Sequence, residues 1–127
     1  MFIFFDLSVL NKKYVYGSIF SEVRDGKLHK LSICGIRSFG PNSEDVQIVK
    51  FTTPVTLILG ENGSGKTTII ESLKYACTGE LPSGSNGGQG FVNYPKLNSS
   101  AFTKGCIKLE IADFKGNSAV ITKAVKV

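Results

Sequence analysis

Residues 60–67 carry the most specific chemical signal in this sequence. Their sequence, GENGSGKT, matches the pattern G-x-x-x-x-G-K-[ST] at every fixed position. With this chain's content of glycine, lysine and hydroxyl residues, a match arises by chance with a probability of roughly 2–3%. The pattern is typical of a loop that binds the phosphates of a nucleoside triphosphate.

The spacing of this motif follows from the chemistry of phosphate binding. Glycines let the backbone turn its N–H groups inward around an anion, and a helix that begins near Lys66 adds its free N–H groups and the positive end of its dipole. Lys66 would neutralise the β- and γ-phosphates, Thr67 would ligate Mg²⁺ through its hydroxyl, and Thr68 would help to hold the α-phosphate. The motif alone specifies neither the base nor the reaction.

The flanking segments predict the elements that position this loop. Residues 55–59, VTLIL, form a nearly continuous apolar run, which favours a strand buried on both faces. After the loop, apolar residues recur at helical spacing, and Gly79 stands where such a helix would end. The predicted apolar face consists of Ile69, Ile70, Leu73, Ala76 and Cys77.

The rest of the chain predicts mainly strands. Residues 30–36 (KLSICGI) and 46–51 (VQIVKF) form strands joined by a turn at 37–41, while 107–111 and 119–127 form a hairpin around KGNS. The glycine-rich segment 79–90 predicts a mobile loop, and residues 1–26 show no sustained period. The predicted order is β-β-β-α, a loop, and a β hairpin.

Composition excludes several classes of protein. The 127 residues are 42% hydrophobic and 20% charged, which indicates one globular domain with its own core. No apolar run approaches the roughly 20 residues that cross a bilayer, so no membrane association is expected. Three widely spaced cysteines and the single His29 favour reduced thiols over a zinc site, a disulfide framework or a Ser-His-Asp triad. Residues 81–127 hold six basic and two acidic groups, and such an excess can attract phosphate backbones.

A wider segment resembles a known family. Asn62 within the loop is similar to the loop of ABC-type ATPases, and the segment Ile36-Arg37-Ser38-Phe39 precedes it by two strands. Together, SICGIRSFG and TLILGENGSGKTTIIESLKYACTGELPSG resemble the SMC-like ATPases of DNA double-strand-break repair, whose bacterial relative is SbcC, and especially their eukaryotic branch. The resemblance runs from about Lys30 to the end of the chain.

This resemblance implies the fold and the domains. The fold would be an α/β P-loop NTPase of ABC/SMC type, of which the chain forms a partial N-terminal lobe with an antiparallel β-subdomain. Residues 27–127 would be the partial ATPase domain, and residues 1–26 an N-terminal extension that the resemblance does not cover.

The resemblance also implies the ligands and their residues. ATP and Mg²⁺ would be held by the loop and the start of the helix, with Thr67 as the metal ligand. Arg37 would also reach the nucleotide, since a guanidinium presents several fixed donors. Residues 91–95 match a segment near the base, to which Val92 and Tyr94 would contribute, although the family usually has His-Asp in place of Asn93-Tyr94. The residues of the loop and of the helix start that would hold ATP and Mg²⁺ are Asn62, Gly63, Ser64, Gly65, Lys66, Thr67 and Thr68.

No catalytic residue is assigned within residues 1–127. An ABC-type ATPase also needs an Asp-Glu strand, a water-positioning glutamine and an L-S-G-G signature, and the chain contains none of them. The family resemblance implies that a C-terminal lobe and a second ATPase head supply these groups. We therefore expect the chain alone to bind ATP without hydrolysing it.

The family implies a setting for the complete protein. ATP would drive two heads together on double-stranded DNA ends, and hydrolysis would release them. A nuclease subunit would be the partner, and the location would be the nucleus and its chromosomes.

Two other functions remain open from the residues alone. Residues 113–116 (DFKG) fit the D-x-x-G motif of a small GTPase, although they also suit a hairpin turn and no N-K-x-D motif follows. Alternatively, the chain is a non-catalytic module in which a nucleotide is structural or lost, and its basic final third binds nucleic acid or a protein. Competition between ATP and GTP separates the first alternative from an ATPase.

Overall fold

The computed structural model describes residues 3–6, 27–52, 55–93, 104–113 and 115–127. The order β-β-β-α-β-β predicted from the sequence is confirmed, with an additional first strand inside the segment that showed no period. The elements are β1 (Ile3–Asp6), β2 (Lys27–Cys34), a 3-10 helix (Ser43–Asp45), β3 (Gln47–Lys50), β4 (Val55–Ile58), α1 (Lys66–Thr78), β5 (Lys104–Ala112) and β6 (Ser118–Lys126).

The strands form two antiparallel sheets. The larger sheet has the order β3-β2-β5-β6, and its last two strands form the predicted hairpin. In the register of β2 and β5, Leu31 lies opposite Leu109 and Ile33 lies opposite Ile107, so the apolar residues of both strands share one face. The smaller sheet pairs β1 with β4. Within the described residues, the α/β character therefore comes from β4, its loop and α1, because every strand pair is antiparallel.

Helix α1 packs on the apolar face of the larger sheet, where it contacts β2, β5 and β6. The ring of Tyr75 on α1 meets the ring of Phe91 edge to face, with centroids 5.8 Å apart. The residues with no solvent exposure are mostly large and apolar, and they place the centre of the core between the sheet and the helix: Leu31, Ile33, Ile36, Phe91, Ile107 and Leu109.

The buried face of α1 differs from the predicted one. Leu73 and Ala76 are buried as expected, but Thr68 and Ser72 are buried with them, while Ile70 is only partly covered. Because two members of this face are polar, a hydrophobic pattern does not identify it. The predicted helix end is confirmed, since Gly79 has φ 75° and donates its N–H to the Tyr75 carbonyl at 2.8 Å.

The prediction that residues 55–59 are buried on both faces is wrong. Val55, Leu57 and Leu59 are 44%, 46% and 63% exposed. The buried residue of β4 is Thr56, whose hydroxyl donates to the Thr52 carbonyl at 3.1 Å. An apolar run shows which residues a strand is able to bury, but the neighbouring elements decide which of them are covered. Among the described residues, β4 pairs only with β1.

The glycine-rich segment 79–90 is a loop as predicted, but it is held by successive turns. The N–H groups of Gly88 and Gly90 both donate to the Ser85 carbonyl, at 3.0 and 2.9 Å. The turns lead directly into the fully buried Phe91 and into Val92, which forms a β-bridge with Ile36. The segment therefore follows a defined path with backbone hydrogen bonds, and its mobility stays a prediction. Among the described residues, no helix is long and apolar enough to cross a membrane.

Candidate phosphate-binding site

The motif of residues 60–67 lies where the sequence places it, between the end of β4 and the first turn of α1. Two of its glycines have left-handed backbones, with φ 84° at Gly63 and φ 98° at Gly65, which occupies the N-cap position of the helix. Residues with a Cβ atom adopt this region only with strain. The motif therefore needs glycine at these two positions for its own backbone, before any ligand is considered.

An aromatic ring supports the loop from the turn that follows β2. A Cβ atom on Gly65 would lie 2.7 Å from Cζ of Phe39, so the ring fills the space beside this glycine. The turn is closed by Phe39, which donates its N–H to the Ile36 carbonyl at 2.8 Å, and by Gly35, which donates to the Gly40 carbonyl at 2.8 Å. The sequence analysis missed this role of Phe39, whose only signal was its place in the segment that carries the family resemblance.

Lys66 is the charged centre of the loop. It is 5% exposed, and its Nζ donates to the carbonyls of Gly60 and Glu61, the latter at 2.6 Å, and lies 3.4 Å from the Ser64 hydroxyl. An ammonium group that leaves water must be surrounded by acceptors, and the loop supplies three oxygens. Phosphate oxygens can take over any of these positions while the charge remains compensated.

The start of α1 adds donors on the same side. The first N–H groups of a helix have no acceptor within it, and the dipole makes that end positive. Here the first helical bond runs from Ile69 N–H to the Gly65 carbonyl at 3.1 Å. Thr67 is exposed and presents an oxygen suited to a hard cation, whereas Thr68 is buried. These donors and this hydroxyl fit a triphosphate with Mg²⁺.

Arg37 is tied to the same helix by an ion pair. Its Nη2 donates to Oε1 of Glu71 at 3.1 Å and lies 2.9 Å from Oε2, while its Nε is buried and has no hydrogen-bond partner among the described residues. Arg37 has φ 46°, an uncommon conformation for a residue other than glycine. Sequence analysis did not identify Glu71, because the pair joins residues 34 positions apart.

The chain after the glycine-rich loop holds Arg37 in this conformation. Arg37 donates its N–H to the Phe91 carbonyl at 2.9 Å, and its own carbonyl accepts from the Asn93 side-chain amide. Asn93 also donates its backbone N–H to the Gly35 carbonyl at 2.8 Å. Val92 lies beside Ile36 and is buried, so the structure brings Arg37 and Val92 together. Tyr94, the other residue expected near a base, lies outside the described residues.

Asp113, the first residue of the D-x-x-G segment, accepts hydrogen bonds in the turn between β5 and β6. Oδ1 of Asp113 accepts the N–H groups of Lys115 and Asn117 at 2.9 and 2.8 Å, and Oδ2 accepts the Asn117 amide at 2.9 Å. The hydrogen bond from the Asn117 side chain is the largest cause that lowers the pKa of the Asp113 carboxyl. Both carboxylate oxygens already accept bonds from the turn, which argues against a role for Asp113 in a GTPase motif.

The outer face of the larger sheet is rich in lysine. Lys104, Lys108 and Lys126 are exposed on the hairpin, and Lys104 lies directly opposite Lys126. Lys30 on β2 pairs with Glu110 at 3.2 Å. Three lysines of the basic final third, Lys104, Lys108 and Lys126, therefore share the outer face, whereas Lys123 lies opposite the buried Ile107.

Comparisons with known proteins match most of the chain. Residues 30–126 match the AAA domain family. A DNA repair protein RAD50 from Drosophila melanogaster is 50% identical over 100 residues, which cover 79% of this chain and 8% of that protein. RAD50 from Saccharomyces cerevisiae is 46% identical over 99 residues, 78% of this chain and 7% of that protein. RAD50 from Arabidopsis thaliana is 46% identical over 95 residues, which cover 75% of this chain and 7% of that protein.

These comparisons confirm the resemblance found in the sequence analysis. The chain spans less than a tenth of the length of these relatives.

Alanine substitution at the two left-handed glycines tests how the loop is supported. Gly63→Ala and Gly65→Ala both impose backbone strain of about 1–2 kcal/mol. Only Gly65→Ala also drives a methyl group against Phe39, since no atom of the described residues lies within 4 Å of a Cβ placed on Gly63. We expect Gly65→Ala to lower the free energy of unfolding by at least about 1 kcal/mol more than Gly63→Ala, as measured by urea titration. Equal losses would contradict the contact between Phe39 and the loop.

Proposed function

Because this chain belongs to the AAA domain family, we propose that it binds ATP and Mg²⁺ as part of an ATPase that acts in DNA double-strand-break repair. The observation that carries this proposal is the buried ammonium of Lys66 inside a loop with two left-handed glycines, at the start of a helix. The relatives that match the chain at 46–50% identity are named DNA repair proteins, which supports the cellular role.

In this proposal, the loop and the helix start hold the triphosphate. Asn62, Gly63, Ser64 and Gly65 line the phosphates with backbone N–H groups, and Lys66 exchanges a loop oxygen for a phosphate oxygen. The charge of Lys66 stays compensated throughout this exchange, so no unpaired charge is buried. The hydroxyl of Thr67 binds Mg²⁺, and Thr68 contributes at the α-phosphate. When bound, Mg²⁺ neutralises charge on the phosphates.

Arg37 approaches the nucleotide from the turn after β2. Glu71 holds one end of the guanidinium, which reduces the side-chain entropy that Arg37 loses when its remaining donors meet a phosphate. Val92 contacts the base through the small part of its surface that is exposed, together with Tyr94. Glu71 is thus a positioning residue for Arg37.

The complete protein hydrolyses ATP with groups from outside residues 1–127. A C-terminal ATPase lobe covers the exposed apolar residues Val55 and Leu57 of β4 and Leu59 just after it. A second ATPase head completes the site, so ATP binding brings two heads together and hydrolysis releases them. Lysines on the outer face of the larger sheet attract the backbone of double-stranded DNA ends, on which a nuclease subunit acts. The place of action is the nucleus and its chromosomes.

The first test concerns the loop. Lys66→Ala removes the full positive charge directed at the phosphates and should weaken Mg-ATP binding at least about tenfold, or ~1.4 kcal/mol. Thr67→Ala should weaken only the part of the affinity that depends on Mg²⁺. Titration of a fluorescent ATP analogue, with and without Mg²⁺, measures both effects, and competition by GTP tests base selectivity. Equal affinity of the original chain and Lys66→Ala would rule out phosphate binding by this loop.

The second test separates Arg37 from its partner. Arg37→Ala should reduce nucleotide affinity and change the melting temperature little, because a partly exposed ion pair contributes only about 0–1 kcal/mol. Arg37→Lys should restore part of the affinity, since one ammonium replaces a fork of donors. Glu71→Gln should fall between the original chain and Arg37→Ala, because Arg37 is retained and less restrained. An Arg37→Ala variant that melts early and binds ATP normally would show a purely structural role.

The third test concerns turnover. The chain alone should release no phosphate from saturating Mg-ATP above background, because binding the ground state without further stabilising the transition state gives no acceleration. Mixing it with a separately expressed C-terminal lobe should produce turnover that neither piece shows. Steady turnover by the chain alone, abolished by Lys66→Ala, would reveal a complete active site within residues 1–127.

A further inference from the structure

Two cysteines lie directly opposite each other on neighbouring strands. In the antiparallel register of β2 and β5, Cys34 is the partner of Cys106. The adjacent pair in the ladder, Ile33 and Ile107, is fully buried on the inner face. Because side chains alternate along a strand, both cysteines point to the outer face of the sheet. Both are free thiols, and both are partly exposed.

The spacing of such a pair suits a covalent bond. Residues directly opposite in an antiparallel ladder have Cα atoms about 4.5–5.5 Å apart. A disulfide needs a Cα separation of about 4.4–6.8 Å, so the strands have no need to move. Electrostatic influence of Cys106 is one of the causes that raise the pKa of the Cys34 thiol, after burial and ahead of Asp45, which is consistent with neighbouring sulfur atoms.

Two glycines keep the strands close at this end of the sheet. Gly35 follows Cys34, and a Cβ atom on it would lie 2.5 Å from the Lys104 carbonyl oxygen. Gly105 precedes Cys106, and a Cβ atom on it would lie 3.0 Å from the Gly35 carbonyl oxygen. Contacts this short leave no room for a side chain, so the backbones that carry the cysteines approach each other in a fixed arrangement.

We propose that Cys34 and Cys106 form a redox modification site, at which a small-molecule disulfide such as oxidised glutathione creates a cross-strand disulfide. One cysteine thiolate attacks a sulfur of the oxidant, forming a mixed disulfide and releasing one glutathione thiolate. The second cysteine then attacks the protein sulfur of the mixed disulfide and releases the second glutathione. The two cysteines lose two electrons and two protons, and both glutathiones leave as thiols.

The bond would join β2 to β5 beside the segment that presents Arg37. Cys34 is the last residue of β2, and Gly35, Ile36 and Arg37 follow it directly. At present the Sγ of Cys34 contacts the carbonyl of Pro41 at 3.3 Å, within the turn that supports the loop. Oxidation would therefore replace a weak contact between Cys34 and this turn by a covalent bond between β2 and β5.

The test uses the full chain with Cys77→Ser, which retains only the two opposed cysteines. After incubation of the folded protein with oxidised glutathione, we expect both thiols to become unreactive to a maleimide while the mass falls by two hydrogens. A non-reduced digest should contain one linked pair of peptides, from residues around Cys34 and Cys106, and the melting temperature should rise by at least about 5 °C. Dithiothreitol should reverse all three changes.

The matched control is Cys34→Ser, which also retains two thiols. Cys77 lies on α1 and packs towards the core, whereas Cys106 faces outward, so these two cannot meet. We expect this variant to stop at a glutathione mixed disulfide. The proposal fails if Cys77→Ser accumulates two glutathiones, forms covalent dimers or remains fully reduced. It also fails if Cys34→Ser forms an internal disulfide at the same rate, or if the oxidised Cys77→Ser protein melts at a lower temperature.

Discussion

The candidate site depends on one requirement, which is that a buried ammonium group must be surrounded by oxygen atoms. Lys66 leaves water at the first position of α1, and the loop before it folds back so that two carbonyls and a hydroxyl face its Nζ. A backbone can follow that path only where left-handed residues are available, which explains the glycines at 63 and 65. The same geometry places the charge of Lys66 beside the free N–H groups at the start of α1, and a phosphate suits such a group of donors.

The loop is positioned by segments that are distant in the sequence. The turn after β2 places Phe39 against Gly65, and the adjacent Arg37 pairs with Glu71 on the second turn of α1. The turn after β2 is itself held by backbone hydrogen bonds to Phe91 and Asn93, which follow the glycine-rich loop. Strand β2, helix α1 and the loop that follows it thus meet at the candidate phosphate-binding site. Packing of α1 on the larger sheet keeps this arrangement together, because the helix and β2 share one apolar core.

The two sheets have different roles in this arrangement. The larger sheet buries an apolar face under α1 and exposes a face with several lysines, so it serves both as the base of the site and as a charged surface. The smaller sheet carries the strand that leads into the loop, and Val55 and Leu57 of that strand, with Leu59 just after it, are exposed. Exposed apolar residues in a row are typical of a surface that another element covers. This is why the proposed function assigns a second lobe to that side.

The local motif and most elements could be predicted from the sequence, because they depend on short-range rules. Glycine spacing, the lysine and the helical period all act within a few residues, and so they indicated the loop, α1 and the hairpin correctly. The resemblance carried by SICGIRSFG and GENGSGKTT indicated the family for the same reason, since its motifs are contiguous.

Only the tertiary structure decided which distant residues meet and which faces are covered. Glu71 became the partner of Arg37, Phe39 the support of Gly65, and Cys106 the neighbour of Cys34 through strand register and helix packing. It also decided that Thr68 and Ser72 are buried, while the apolar side of β4 is exposed. Such outcomes depend on elements that approach from far along the chain, and no local pattern of residues records that approach.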